Sequence, residues 1–513
     1  MFAMATRRLP WILASAAALA GCAVGPNYHA PRTSTPEKFV AATAPPQAAR
    51  AVPVTPSIDL AQWWRSLNDS ELDSLIERAI RANSDIEIAL TRLQEARTQL
   101  AAATSNILPQ AGAGGGAAHG TGSDLARGRA PQTLVAAENT PRSGQIQQIV
   151  GFDAGWDLDL FGKYRREIEA AKYDTQAAAW TRNAVLIAVI ANVAGSYVDM
   201  RGLQMRLAIT RQDVDSAKQF RDLVQTRYDR GLTNELDVTL ANRELARLQA
   251  EVAPLTAQVN AVQYSIAVLL SQYPEDLSAE LAQPGLIPTL PQEVEPGLPL
   301  ELLKRRPDIQ EAERQLAAAT ARIGVATADL FPRVALTAGV GTQSSRIGNV
   351  PGSHVWSAGP SVYWPLLDFG SLDAAVSVAD LQTHERLVSY RRTVFDAVRD
   401  ADTAIGNFSA QEERLKNLDV AMLASERAVS LASQRYDRGL TDFLNVVDAE
   451  RQQYDLENEY AATQQSAADA YVSLYRALGG GWEQYQDVPH IHRPVPAVLA
   501  IFRRLAVSEE PQK

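Results

Sequence analysis

The 513-residue chain is 46% apolar and 21% charged, with a formal net charge of −10. That composition suits a folded chain; the acidity argues against a nucleic-acid partner and suits a soluble surface or a cation-favouring conduit. No run approaches the roughly 18 uninterrupted apolar residues of a membrane-spanning helix.

The chain opens with Arg7-Arg8 and an apolar stretch from Trp11 to Ala20 that ends Leu19-Ala20-Gly21-Cys22. A charged region, an apolar region and a small-residue site define an export signal over residues 1–21. The final four residues resemble a bacterial lipobox, which implies a covalent lipid on Cys22, and Ala23 in place of aspartate resembles lipoproteins sent to the outer membrane. Cys22 is the one cysteine, so no internal disulfide is possible. Loss of Arg7 and Arg8 with the signal would bring the net charge to −12 (−10 − 2).

Residues 22–60, rich in Pro, Ala and Thr, read as an extended arm. Trp63-Trp64 and Asn68-Asp69-Ser70 introduce a helix, with Ser70 as the expected N-cap and Leu72, Leu75, Ile76 and Ile80 as its apolar stripe. A second helix is expected from about Asp85 to Asn106. The period then changes to two: Phe152, Ala154, Trp156, Leu158 and Leu160 alternate with glycine and aspartate. Val334, Leu336, Ala338 and Val340 alternate likewise, as do Trp356, Ala358, Val362, Trp364 and Leu366. A weaker Ala/Gly strand after Pro109 completes two hairpins, at about 107–160 and 330–368. Such strands fit an outer-membrane barrel or a small water-exposed sheet. If they lie in lipid, four cannot close, since roughly eight are the minimum, and several chains must share one barrel.

About 65 residues of helix follow each hairpin and end in the same sequence, Arg227-Tyr228-Asp229-Arg230-Gly231-Leu232-Thr233 and Arg435-Tyr436-Asp437-Arg438-Gly439-Leu440-Thr441. The copies lie 435 − 227 = 208 residues apart, and Phe161-Gly162 and Phe369-Gly370 keep that offset. The chain is therefore a tandem duplication, residues 61–284 and 285–485, with tips at 227–237 and 435–448 and a tail at 486–513. The returning helices carry heptad seams, one along Leu245, Leu248, Val252, Leu255, Val259, Val262, Ile266 and Leu269, the other along Leu456, Tyr460, Ala467, Ala470, Leu474 and Ala477. Pro254 is expected to kink or break the first.

The lipobox, Gly25-Pro26-Asn27-Tyr28, Trp63-Trp64, Arg305-Arg306-Pro307-Asp308-Ile309, the two repeated turns and Leu478-Gly479-Gly480-Gly481-Trp482 together resemble the TolC-like outer-membrane efflux ducts, in their lipoprotein (NodT-type) branch. The resemblance covers about residues 20–485. It implies a mainly α chain with a small β part, whose homotrimer closes a 12-stranded barrel continued by an α-helical coiled-coil barrel. It implies a belt of short helices from residues 60–80, about 285–305 and the C-terminal segment. The implied partners are a periplasmic adaptor, an inner-membrane RND-type transporter and outer-membrane lipid, with no cofactor beyond the lipid. Leu444 and Asp448 would form apolar and carboxylate rings in a periplasmic constriction, with Leu236 and Asp237 matching them in the first half and Tyr436 or Tyr228 supplying latch contacts. Some such ducts carry an arginine at the position of Thr441 and an aspartate at that of Asn445; this sequence has neither. Gly231, Leu232, Thr233, Gly439, Leu440 and Thr441 would receive the adaptor.

No Walker loop, Cys-x-x-Cys, His-Glu-x-x-His or Gly-x-Ser-x-Gly is present, so nothing points to an enzyme. His490 and His492 in the tail fit an incidental pair better than a metal site. A lipid-anchored, non-conducting coiled-coil scaffold explains the heptads but leaves the strands idle, and a duct for secreted protein or oligosaccharide keeps the architecture with another cargo.

Overall fold

The computed structural model describes residues 23–32, 36, 39–41, 60–120, 145–291, 304–344 and 352–485. Cys22, His490, His492 and most of the 285–305 segment lie outside them. The chain divides into two units, each drawing on both sequence repeats. One comprises Met1–Thr35, Glu95–Trp180 and Asp308–Asp396; the other comprises Pro36–Gln94, Thr181–Pro307 and Ala397–Lys513.

The first unit holds four strands, β1 Gln110–Gly120, β2 Gln145–Leu158, β3 Arg333–Ser344 and β4 Ser353–Tyr363, in an antiparallel sheet of order β1-β2-β3-β4. Paired residues point to the same face of a sheet, so register decides what each face presents. Ala113, Phe152, Val340 and Trp356 lie in one row, and Ala111, Ala154, Ala338 and Ala358 in the next. Trp156, Leu336 and Pro360 follow, then Leu158, Val334 and Val362. The opposite face carries Gly112, Asp153, Gly339 and Ser357 in one row and Gly114, Gly151, Gly341 and Val355 in another. Over these rows one face is apolar, and its large side chains Phe152, Val340, Trp356 and Val362 are exposed in the single chain; the next row of that face, Gly115, Val150, Thr342 and His354, is mixed.

The duplication is visible at the base of the sheet. Trp156 Nε1 donates to the Ile107 carbonyl at 2.9 Å, and Trp364 Nε1 donates to the Leu330 carbonyl at 3.1 Å. Each carbonyl lies two residues before the proline that precedes a strand, Pro109 or Pro332. An indole beside lipid or core needs a partner for its N–H, and here each finds one at the strand entrance.

Eight α-helices accompany the strands among the described residues: α1 Ser70–Ala82, α2 Ser84–Ser105, α3 Lys163–Asp229, α4 Glu235–Leu269, the short α5 Pro274–Ser278, α6 Pro307–Ala328, α7 Ser371–Asp437 and α8 Phe443–Leu478. Both α3 and α7 have 67 residues, roughly 100 Å each at about 1.5 Å per residue. Within the first unit, Lys163 pairs with Asp329 at 2.6 Å and Arg322 with Asp174 at 2.5 Å. Ala317, Ala318 and Ala321 are buried in α6, where small side chains allow close helix approach.

In the second unit the apolar run of α3 is interior: Leu186, Val189, Ile190, Val193, Ala194 and Tyr197 are all buried. They share this core with Trp63, Trp64, Leu72, Leu75 and Ile76, and Trp63 stacks on Tyr475 at 5.3 Å. Gly479 caps α8 at φ +76°, and a Cβ there would meet Arg306 at 3.0 Å. Arg306 donates to the Ala477 carbonyl at 3.1 Å, while Trp482 Nε1 donates to the Arg305 carbonyl at 3.2 Å. The Arg305-Arg306-Pro307 and Leu478-to-Trp482 motifs therefore join each other, which explains both as structural.

Three local expectations are corrected. The N-cap of α1 is Asp69, not Ser70: Asp69 is extended, and its carboxylate accepts from the amides of Glu71 (3.0 Å) and Leu72 (3.1 Å). Of the kink or break expected at Pro254, the break does not occur, since α4 runs through it as one helix; Pro254 has no N–H to offer the Ala250 carbonyl, and both residues are exposed to water. The α4 seam holds at Leu245, Leu248, Leu255, Val259 and Ile266, but α8 buries a further row, Tyr454, Ala461, Ala468 and Tyr475, beside the expected Ala467, Leu474 and Ala477.

Candidate functional site: the paired helical turns

The sequence repeat becomes a repeated backbone at the ends of α3 and α7. Gly231 (φ +71°) and Gly439 (φ +69°) occupy the left-handed region, where a side chain would be strained. In the first copy the Gly231 amide donates to the Tyr228 carbonyl (2.8 Å) and the Leu232 amide to the Arg227 carbonyl (2.9 Å). In the second, Gly439 donates to Tyr436 and Leu440 to Arg435, both at 2.9 Å. These paired bonds form a Schellman cap, which satisfies carbonyls that the helix end leaves open.

Threonine extends the repeat into the next helix. Thr233 Oγ1 donates to the Asp237 carboxylate, while Thr441 Oγ1 accepts from Asn445 Nδ2 at 2.8 Å. At the 208-residue offset Asp237 is the counterpart of Asn445, and Asp448 is the counterpart of Leu240. The expected match of Asp237 with Asp448 is therefore corrected. Asn234 caps α4 by accepting from the Asp237 amide at 3.1 Å. Asp448 is exposed and accepts from Gln452 at 2.8 Å.

Side chains around the two turns differ. Tyr436 is 6% exposed within a cluster of Val224, Ala241, Phe443, Val446 and Val447, whereas Tyr228 is 40% exposed. Phe443 packs on Tyr436 at 5.4 Å and on Phe220 at 5.9 Å. The Arg227 guanidinium lies over the Tyr436 ring, 4.6 Å from its centroid, and 3.8 Å from the Asp437 carboxylate. Burial pushes the Tyr436 hydroxyl above the usual tyrosine range, and nearby Arg227 opposes that rise. Of the expected latch residues, Tyr436 is thus engaged inside its own chain and Tyr228 is presented outward.

Four leucines at equivalent positions stand out from the turns: Leu232 and Leu440 just after the glycines, Leu236 (63% exposed) and Leu444 (57% exposed) one turn into the next helices. Sequence reasoning missed Arg227, Phe220 and Phe443. The signal for Phe443 was available in the offset, because Phe443 replaces Glu235 and Val447 replaces Thr239 between the halves.

Further along the same helices, Asp213 and Glu244 are buried, and Glu244 pairs with Arg247 at 2.6 Å. Burial, reinforced by Glu457, pushes the Asp213 carboxyl up to about 7 against the pull of Arg247. Burial with a contribution from Glu244 pushes the Glu450 carboxyl up to about 7. Among the described residues no group of three or more His, Cys, Asp or Glu is arranged to hold a metal ion.

Comparison with known proteins places this architecture. The sequence profile of the family described as outer membrane efflux protein matches residues 75–271 and 298–480. Nodulation protein T of Rhizobium leguminosarum bv. viciae is 29% identical over 94% of this chain and 94% of its own. The toluene efflux pump outer membrane protein TtgC of Pseudomonas putida is 30% identical over 93% of this chain and 96% of its own. The solved structure of the outer-membrane channel OprN superimposes with a TM-score of 0.79 at 34% identity, covering 90% of this chain and all of that one. With a helical body, one small sheet and a family match over both repeats, the chain belongs to the outer membrane efflux protein family, the channel proteins of tripartite pumps, and is not an enzyme.

Proposed function

We propose that three copies of this chain form the passive exit duct of a tripartite efflux pump, anchored in the outer membrane by lipid on Cys22 as well as by the shared barrel. The observation that carries this reading is the sheet: its apolar face spans all four strands, yet β1 and β4 end the strand order. Open strand edges are not tolerated in hydrocarbon, so the edges need partners, and three such sheets give the twelve strands of a closed barrel.

The paired turns are the periplasmic tip. Leu236 and Leu444 form its apolar constriction, Asp448 and Asp237 its carboxylates, and the turn residues 231–233 and 439–441 the seat of the adaptor. A ring of leucines blocks ions by excluding water, and carboxylates near it favour cations once water enters. The Arg227–Tyr436–Asp437 contact holds α3 to α7 within each chain. An adaptor loaded by an inner-membrane RND-type transporter would open the tip by separating such contacts. Cargo is then chosen by the pump behind the duct, and the toluene named for TtgC is one candidate class of small molecule.

Planar-bilayer recording tests the reading. The wild type should show rare openings, and Arg227→Ala combined with Asp437→Ala should conduct steadily. Failure of both proteins to conduct would overturn it.

A further inference from the structure

The lipid reading leaves open what the residues after Cys22 do. Arg166, on the first turns of α3, is only 4% exposed. A buried guanidinium must have its donors satisfied, and most of these are satisfied by the N-terminal arm. Nε donates to the Val24 carbonyl at 3.1 Å, and Nη2 donates to the Gly25 carbonyl at 3.1 Å and Asn27 Oδ1 at 2.9 Å. Nη1 goes to Glu169 at 2.7 Å. The arm reciprocates: the Val24 amide donates to the Phe161 carbonyl at 3.1 Å, and the Tyr28 hydroxyl donates to Glu313 at 2.8 Å.

Glycines set the clearance. A Cβ on Gly25 would fall 2.4 Å from the Gly324 Cα, and one on Gly162 would fall 2.6 Å from the Ala23 Cα. A Cβ on Gly324 would lie 2.8 Å from the Arg166 side chain. Three glycines and one buried arginine thus leave a slot the width of a bare backbone, filled by residues 23–27.

We propose that Arg166, Gly162 and Gly324 form a docking site for the protein's own N-terminus, whose task is to hold the acylated residue at the base of the sheet. The second half of this inference rests on the lipidation of Cys22. Residue 22 is one peptide from Ala23, a Cα step of about 3.8 Å, and Ala23 touches the Phe161-Gly162 turn that joins β2 to α3. The lipid is then set at one depth relative to the strands, rather than swinging on the long Pro/Ala-rich arm, and Arg166 is the positioning residue. Its carbonyl-and-amide recognition is independent of the acyl chain, so the arm docks with or without lipid.

Hydrogen exchange read by mass spectrometry on the full-length mature protein in detergent tests this. Amides of residues 24, 25, 27 and 28 should be protected in the wild type and equally protected in Cys22→Ser. Arg166→Ala should raise their exchange by about tenfold or more, an opening free energy lower by about 1.4 kcal/mol, with the β1 and β3 amides unchanged. Asn27→Ala changes only the arm, so it gives the same readout should Arg166→Ala fail to fold. Loss of protection in Cys22→Ser, with none in Arg166→Ala or Asn27→Ala, would overturn the docking site. An unacylated N-terminal peptide in the wild type, read in the same spectra, would remove the lipid-placing role while leaving the docking result standing.

Discussion

The two turns share seven consecutive residues and the same Schellman cap, yet one tyrosine is buried and the other is exposed. The shared motif fixes backbone geometry, because glycine at positive φ and the paired carbonyl bonds depend only on local sequence. The side-chain environment is set by the helix that leaves each turn. Phe443 and Val447 in the second half cover Tyr436, where Glu235 and Thr239 stand in the first. A duplicated motif can thus give one turn whose tyrosine is held and one that presents its aromatic outward.

Tyrosine replacement should separate the turns most. Tyr436→Ala empties a buried site and should cost about 3–5 kcal/mol locally, while Tyr228→Ala should cost under about 0.5 kcal/mol. Hydrogen exchange at Val446 and Val447 reads the difference, and equal effects would mean that the turns are equivalent.

Acidity is the next lever, since Asp213 and Glu450 have the uncharged counterparts Ala421 and Asn242. Both carboxyls titrate near 7 in the folded chain, well above their unfolded values. Between about pH 4 and 7 the folded state therefore holds more protons, and stability from these groups falls as pH rises, by at most about 1.4 kcal/mol per pH unit for each. Denaturation across that range should show a slope that Asp213→Asn with Glu450→Gln flattens; an unchanged slope would refute the assignment.

Arg227→Ala should remove about 1–2 kcal/mol by losing the ring contact and the Asp437 pair, whereas exposed Arg435→Ala should be nearly silent. Urea midpoints of the two variants check this. Gly231→Ala and Gly439→Ala sharpen the shared half of the comparison. An added Cβ meets nothing within 4 Å at either site, so both should cost the same backbone strain, about 1 kcal/mol. Asp448→Ala should leave folding untouched and lower cation preference in bilayer recordings; unchanged selectivity would take Asp448 out of the pore.

Much of this was legible in the sequence because duplication doubles every signal. The 208-residue offset gave both 67-residue helices, and strict alternation gave β2 to β4. What stayed hidden depended on distant partners. Asp69 and Ser70 are both good caps, and only a carboxylate reaching two amides at once separates them. Tyr454 and Tyr475 look amphipathic, and alanines allow α8 to pack on more than one row. Arg165 and Arg166 are neighbours with no local cue to say which is buried, since the acceptors of Arg166 come from about 140 residues earlier. The burial of Tyr436 could not be read from a motif that occurs twice with two outcomes.

The mass of the mature protein extracted in detergent tests the central claim most directly. A particle of three chains is predicted, because the edges of β1 and β4 require neighbours. A monodisperse single-chain particle that still inserts into bilayers would contradict a shared barrel, and with it the duct.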